Sequence, residues 1–313
     1  MHHDAFLHWH LHYEGSQFDG MIQPSEAEED ALEYDKPCLA ITDHGTLKSA
    51  LGVYGACQRN GWKFVPGSEL YVVNDKSEKL DGPRKKKFDK RRHIVLLSIN
   101  QIGFENLIWH STSASMHFFM KPRIQHRDLW ERNEGLIIST ACLGGLIASP
   151  LLWDDQNNEE QRIANATKIA MEYREVFGDR FYLEIQPVYS EAQLVLNRFL
   201  IKLHKEHGFP ILATNDAHYA KDDQHKYHAH LISIQNRSRD SDGELVYKRG
   251  HHLRNLPEMR DGFKENGTYG EQQSVVELAL ETANSLHERM SGVLIKREMK
   301  IPEYKPDHES VDF

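Results

Sequence analysis

Six short segments place histidines, carboxylates and one thiol where they could converge on metal ions. In His8-Trp9-His10-Leu11-His12 a period of two sends His10 and His12 to one face of an extended chain, the simplest way for neighbouring residues to offer two imidazoles to one cation. Asp19 follows in Phe18-Asp19-Gly20. Asp43 and His44 come directly after the apolar Leu39-Ala40-Ile41, where charged residues meet either solvent or an ion. Glu69, in Gly67-Ser68-Glu69, has two oxygens that could serve separate cations. His93 opens an apolar segment, and Cys142 sits in Thr140-Ala141-Cys142-Leu143-Gly144-Gly145, where a thiolate would favour a borderline-soft metal such as zinc. Asp216 and His218 share a face by the same period of two, after Ile211-Leu212-Ala213-Thr214.

Taken singly, each segment has an ordinary explanation. A lone His-x-His is also a polar strand edge, a lone Glu a solvated carboxylate, and an isolated Cys an inert core thiol. Their joint occurrence at successive expected strand ends has no such explanation, and the mixed imidazole, carboxylate and thiolate set suits Zn, Mn or Fe. Twenty histidines in 313 residues raise the same expectation without locating it. Asp43 is expected to orient His44 rather than to bind metal, and His225, His228, His230, His251 and His252 to lie on the surface or outside the ligand shell.

The elements that must position these residues alternate between strand and helix. Strands are expected at Ala5 to His12, Cys38 to Thr42, Lys63 to Val73, His93 to Ile99, Gly135 to Thr140, Phe181 to Ile185 and Pro210 to Thr214. Helices are expected at Ser25 to Tyr34, Leu47 to Asn60, around Phe104 to Ser115, Glu159 to Phe177, Glu191 to His207 and Glu271 to Met290. Ser25 and Glu28 have capping-box spacing. Cys38-Leu39-Ala40-Ile41 is continuously apolar, as in a parallel strand covered on both faces. Seven strand and helix units make an α/β barrel more economical than an open sheet, with its chemistry on one rim.

With 39% hydrophobic and 27% charged residues, the chain can bury a core and carries no run long enough to cross a membrane. Neither a signal peptide nor a disulfide framework is expected, since Cys38, Cys57 and Cys142 are odd in number and widely spaced; a cytoplasmic location follows. The formal charge of −9 opposes non-specific nucleic-acid binding, although bound cations would reverse the sign inside an acidic cleft. Against that background, seven of the nine residues from Arg84 to Arg92 are Lys or Arg, forming either a solvated loop or a phosphate-contacting arm.

The segments above, with Lys121-Pro122-Arg123-Ile124 and Ala213-Thr214-Asn215-Asp216-Ala217-His218-Tyr219, resemble the PHP domain of the polymerase and histidinol phosphatase superfamily, in the form found at the N-terminus of bacterial DNA polymerase III alpha subunits. The resemblance implies a distorted seven-stranded, TIM-like barrel over residues 1–290, with residues 291–313 as a tail toward a polymerase region, and up to three divalent metals. By that resemblance His10, His12, Glu69 and Asp216 hold one metal, Glu69 bridges to a second held by His93 and Cys142, and Asp19, His44 and His218 hold a third. Tyr13 and Gly15 depart from the family's pattern beside the first ligands. The implied activity is phosphodiester hydrolysis, as a 3′→5′ exonuclease that proofreads DNA from a 3′ single-strand end, in partnership with the rest of the replicative polymerase. The nucleotidyltransferase reaction of that polymerase needs palm aspartates that this chain lacks. The alternatives are a non-catalytic, metal-stabilised scaffold and a free-standing phosphoesterase of the histidinol phosphatase type; an amide hydrolase fits the motif order less well.

Overall fold

The computed structural model describes residues 1–77, 91–154, 157–236 and 249–296. Most of the basic run, from Arg84 to Lys90, and the expected tail from residue 297 onward lie outside the described residues. Helix α1 (Pro24–Glu33) leads to β1 (Cys38–Ala40), α2 (Ala50–Asn60), β2 (Lys63–Val65) and β3 (Gly67–Val73). Then come β4 (Arg92–Ser98), α3 (Gln101–Met116), β5 (Arg123–Gln125), α4 (His126–Glu131) and β6 (Leu136–Ser139). The remainder is α5 (Ala148–Leu152), α6 (Glu159–Phe177), β7 (Phe181–Ile185), α7 (Glu191–His207), β8 (Ile211–Ala213), α8 (His225–Asn236), α9 (Leu256–Glu265) and α10 (Tyr269–Ser285).

The architecture is α/β, with β1 and β2 in a parallel pair and the other strands in a mixed sheet of order β5-β3-β4-β6-β7-β8. In that sheet β4 is antiparallel to both neighbours, and the remaining pairs are parallel. Strands β6 and β7 are buried along their whole length, as expected of a sheet covered on both faces. Caps fix the long helices where the sequence places them: Asn158 accepts from the Gln161 N–H at the start of α6, and Ser190 from the Gln193 N–H at the start of α7.

Among the described residues no closed barrel of seven strands is formed, for two physical reasons. The segment from Ala5 to His12 pairs with neighbouring backbone only around Leu11, and side chains take several of its other backbone groups. Asn284 accepts from the Leu7 N–H at 3.0 Å and donates to the Ala5 carbonyl at 2.8 Å, while Thr42 Oγ1 accepts from the Leu11 N–H at 2.7 Å. Trp9 Nε1 donates to the Ala283 carbonyl, so α10 clamps this segment, and Leu11 keeps a single bridge to Ala217. The expected strand from Lys63 to Val73 breaks at Pro66, which has no N–H for a ladder; β2 then pairs with β1 and β3 joins the larger sheet.

Two smaller corrections have equally local causes. The cap of helix α1 is Gln23, two residues before the expected Ser25, because Pro24 suits the first helical position and Glu26 accepts from the Gln23 N–H at 2.9 Å. The last helix ends at Ser285 and tightens into a 3₁₀ turn from Leu286 to Arg289. Strand β5 and helices α4, α5, α8 and α9 are additions to the expected elements, most of them too short for a periodic pattern.

Helix α3 crosses the chain before β6 at backbone contact. A Cβ added at Gly103 would lie 1.8 Å from the Gly135 carbonyl oxygen, with no flexible group able to yield. Gly103→Ala is therefore expected to destabilise the protein by about 1–3 kcal/mol, seen as a lower urea midpoint. An unchanged midpoint would contradict this packing.

Candidate metal centre

All nine residues that the resemblance assigns as ligands meet in one cluster. They come from six places: the N-terminal segment, the turn after β1, the middle of β3, the start of β4, the turn after β6 and the turn after β8. Glu69 is the hub and is 1% exposed. Its Oε1 lies 3.4 Å from His10 Nε2, 2.9 Å from His93 Nδ1 and 3.8 Å from Cys142 Sγ. Its Oε2 lies 3.4 Å from His12 Nε2 and 2.7 Å from His44 Nδ1. Asp216 Oδ1 is 3.1 Å from both His10 Nε2 and His12 Nε2. Asp19 closes the far side, 3.2 Å from His44 Nε2 and 3.5 Å from His218 Nε2. The His12 ring stacks between His44 and His218, with centroids 4.0 and 4.4 Å away. His10, His12, Asp19, Glu69, Asp216 and His218 are buried, whereas His44, His93 and Cys142 are partly exposed and mark the open side.

Local backbone geometry aims these groups. Asp216 itself has φ of +47°, Ala141 just before Cys142 has +58°, and Phe18 just before Asp19 has +64°. Left-handed conformations at non-glycine residues cost roughly 1–3 kcal/mol each and persist where the surroundings over-determine them. Here the surroundings are specific: the His93 N–H donates to the Gly144 carbonyl and the Leu146 N–H returns to the His93 carbonyl, so the Cys142 turn is clipped to the start of β4.

The electrostatics follow from burial and mutual contact. Burial opposes charge on Glu69, but His93, His44 and His10 outweigh it and hold the carboxyl well below its ordinary range. The same competition, won by His10 and His218, keeps Asp216 ionised. Burial lowers His12 to about 3, with His44 and His218 adding to it, so His12 is a neutral imidazole. His44 goes the other way: burial is outweighed by Glu69 and Asp19, which raise it to about 10. Burial next to Glu69 and Asp216 pushes the Cys142 thiol well above its ordinary value.

The donor set fits divalent cations. His10 Nε2, His12 Nε2, His44 Nδ1, Glu69 Oε2 and Asp216 Oδ1 are buried and crowd against one another at 2.7–3.4 Å without well-directed hydrogen bonds. Buried polar atoms are almost always well paired, so five that meet only each other, and poorly directed, suit a shared cation. Imidazole, carboxylate and thiolate donors within reach of one another are what such an ion would bind.

Three contributors escape the spacing argument. Glu184 is fully buried in β7 and its Oε1 meets His10 Nδ1 at 2.6 Å, leaving Nε2 directed at Glu69 and Asp216. Ser139, Thr214 and Gln186 donate to the same carboxylate and fix it. A charge inside the otherwise apolar Phe181-Tyr182-Leu183-Glu184-Ile185 is the sequence signal that could have found it. Ser16 is the second: it meets His12 Nδ1 at 3.0 Å and accepts from the His44 N–H at 3.0 Å, while donating to Asp43. The expected direct role of Asp43 on His44 thus runs through Ser16. Asp43 also accepts from the Tyr13 N–H, and a Cβ on Gly15 would lie 2.3 Å from Asp43 Oδ2, so these two departures from the family pattern are packed against Asp43. The third, His228, expected on the surface or outside the ligand shell, takes the second of these places: it is buried with Nε2 3.3 Å from Asp19 Oδ1. His251 is also buried, against the Asp216 carbonyl, whereas His230 is exposed.

Fold and cluster together define an α/β protein built around a buried centre of cation-binding donors. The chain belongs to the PHP domain family, whose profile matches residues 8–187. Seven of the nine cluster residues lie inside that stretch; Asp216 and His218 lie beyond it and join through the fold. The chain is 36% identical over 222 residues to a DNA polymerase III subunit alpha of Helicobacter pylori, covering 69% of this chain and 18% of that protein. It is 32% identical over 236 residues to the corresponding subunit of Aquifex aeolicus, covering 74% of this chain and 20% of that one. The chain therefore spans about a fifth of the length of these relatives. Among solved structures, an amidohydrolase from Chromobacterium violaceum aligns with a TM-score of 0.41 at 15% identity, covering 68% of this chain and 88% of that one. No helix among the described residues is long and apolar enough to cross a membrane.

Two outcomes follow from this geometry. Glu184→Gln keeps the shape but weakens the hold on His10, and is expected to lower affinity for Zn²⁺ or Mn²⁺ by about 10- to 100-fold, measured by competition with a chromophoric chelator; unchanged affinity would separate Glu184 from the centre. In chelator-treated protein, the stability that charged His44 contributes is fully present below pH 6.5 and lost as pH rises through about 10. The stability gap between wild type and His44→Gln in urea titrations should therefore shrink from pH 6.5 to 10, and a gap that widens would contradict the stated environment.

Proposed function

We propose that this chain is a metal-dependent phosphodiesterase acting as a 3′→5′ exonuclease on DNA, in the cytoplasm and alongside a DNA polymerase III alpha-type polymerase. The observation that carries this reading is the convergence of five buried donor atoms, lacking well-directed hydrogen bonds, on one open-sided cluster. The nine residues His10, His12, Asp19, His44, Glu69, His93, Cys142, Asp216 and His218 would hold the cations. Similarity to subunits named DNA polymerase III subunit alpha supports DNA as the substrate class and the remaining polymerase as partner.

Divalent cations bound together supply a nucleophile at neutral pH and neutralise the non-bridging and leaving oxygens of a phosphodiester. The chain's own part is geometric. Glu69 offers an oxygen to each side of the cluster, its two oxygens facing different imidazoles. Glu184 holds the His10 ring, and Ser16 holds His12 in register with the turn that carries His44. The partly exposed edges of His44, His93 and Cys142 leave one side through which a phosphate can approach. His10 and His12 are buried and close the inner side.

The test is digestion of a primer-template with a mismatched 3′ end by the protein supplied with Mn²⁺ or Zn²⁺. Wild type is expected to release 3′ nucleotides stepwise, and a His10→Ala, Asp216→Ala double variant with unaltered circular dichroism to release none. Metal-loaded wild type that leaves DNA intact but hydrolyses a small phosphate ester would replace this reading with a small-molecule phosphoesterase, and inertness toward both would replace it with a scaffold.

A further inference from the structure

A cavity of about 290 Å³ lies between the turn after β6 and the start of α7, and shares its inner wall with Cys142 and Asp216 of the cluster. The surface it presents is mainly apolar, with Leu143 and Val188 contributing and Tyr189 standing exposed. His93, Gln186, Ser190 and His251 also line it, and one further polar residue is left with an unused group. Gln193 is 1% exposed, and its Oε1 has no hydrogen-bond partner.

The neighbouring network fixes which end of that carboxamide is left over. Asn197 Nδ2 donates to the Gln186 carbonyl at 2.8 Å and to Thr268 Oγ1 at 2.9 Å, while Asn197 Oδ1 accepts from the Gln186 N–H at 3.2 Å. Gln193 must therefore present its NH₂ to Asn197 Oδ1, at 2.9 Å, and keeps an oxygen acceptor unused. A mainly apolar cavity with one spare acceptor, beside a cluster suited to phosphate, is matched by a flat ring that carries an N–H donor and is attached to a phosphate.

We infer that this cavity is the subsite for the base of the terminal nucleotide whose phosphate lies at the cluster, an inference that rests on the phosphodiesterase reading above. Apolar side chains can sandwich an unstacked base, and hydrogen bonds read its pairing edge. Every base carries at least one N–H donor on that edge, so a single acceptor at Gln193 holds any of the four without choosing among them. A base must leave its partner to enter, which favours an unpaired or mismatched 3′ end. A sugar phosphate brings neither the flat apolar face nor the donor.

The test is binding rather than turnover. The Mn²⁺-loaded full chain is titrated calorimetrically with dAMP and with 2-deoxyribose 5-phosphate. The dAMP is expected to bind at least about tenfold more tightly, the scale of one base contact. Val188→Trp, which fills the cavity from a partly exposed position, should abolish that preference while leaving 2-deoxyribose 5-phosphate unchanged, and Gln193→Met should reduce dAMP binding alone. Equal binding of the two compounds, or a preference that survives Val188→Trp, overturns the inference. If the dAMP preference holds while 3′ digestion fails, the exonuclease reading falls and the subsite stands; digestion with equal binding removes the subsite alone.

Discussion

The buried carboxylate of Glu69 sets the terms for the rest of the structure. A carboxylate taken wholly out of water is stable only when opposite charge or strong donors surround it. Glu69 has imidazoles from His10, His12, His44 and His93 and the Cys142 thiol around its two oxygens. Those rings cannot all be neutral while Asp216 and Asp19 are also ionised, nor all charged while stacked on one another. Protons on His10 and His44 are one solution, and divalent cations are the other. The fold accepts strained backbone at Phe18, Ala141 and Asp216 to keep the donors aimed at this point.

This demand explains why the ring of segments around the cluster is joined by single bridges rather than ladders. Leu11 touches Ala217, and His44 touches Glu69, each by one bridge, and the turns that follow carry the ligands. A regular strand from Ala5 to His12 would spend its backbone groups on a neighbouring strand. Asn284 and Thr42 take them instead, which lets β1 and β8 stay three residues long and turn their next residues inward. The last helix, α10, thereby becomes part of the support of His10 and His12, through Trp9 and Asn284.

Much of this was legible in the sequence because ligand positions obey local rules. Period-two spacing in His10-Leu11-His12 and Asp216-Ala217-His218, and charged residues directly after apolar runs, mark the cluster without knowledge of the fold. The helices α6 and α7 were legible as long helical segments. Closure was not, since whether an extended segment forms a ladder depends on a side chain such as Asn284, which is 277 residues away from Leu7. Glu184 was missed for a related reason: it acts through a ligand, His10, which is 174 residues distant. Ser16, four residues from His12, was within local reach, but a lone serine carries no spacing signal.

The central claim is that this cluster is a cation site rather than a protonated polar core. The direct measurement is metal content per chain after purification and dialysis without chelator, by mass spectrometry of the elements, for wild type and Glu69→Gln. The account predicts Zn, Mn or Fe bound in stoichiometric amount in wild type and largely lost in the variant, which removes the one carboxylate that faces both sides. Wild-type protein that is folded and free of metal, and that takes none up from a millimolar supply, would contradict it.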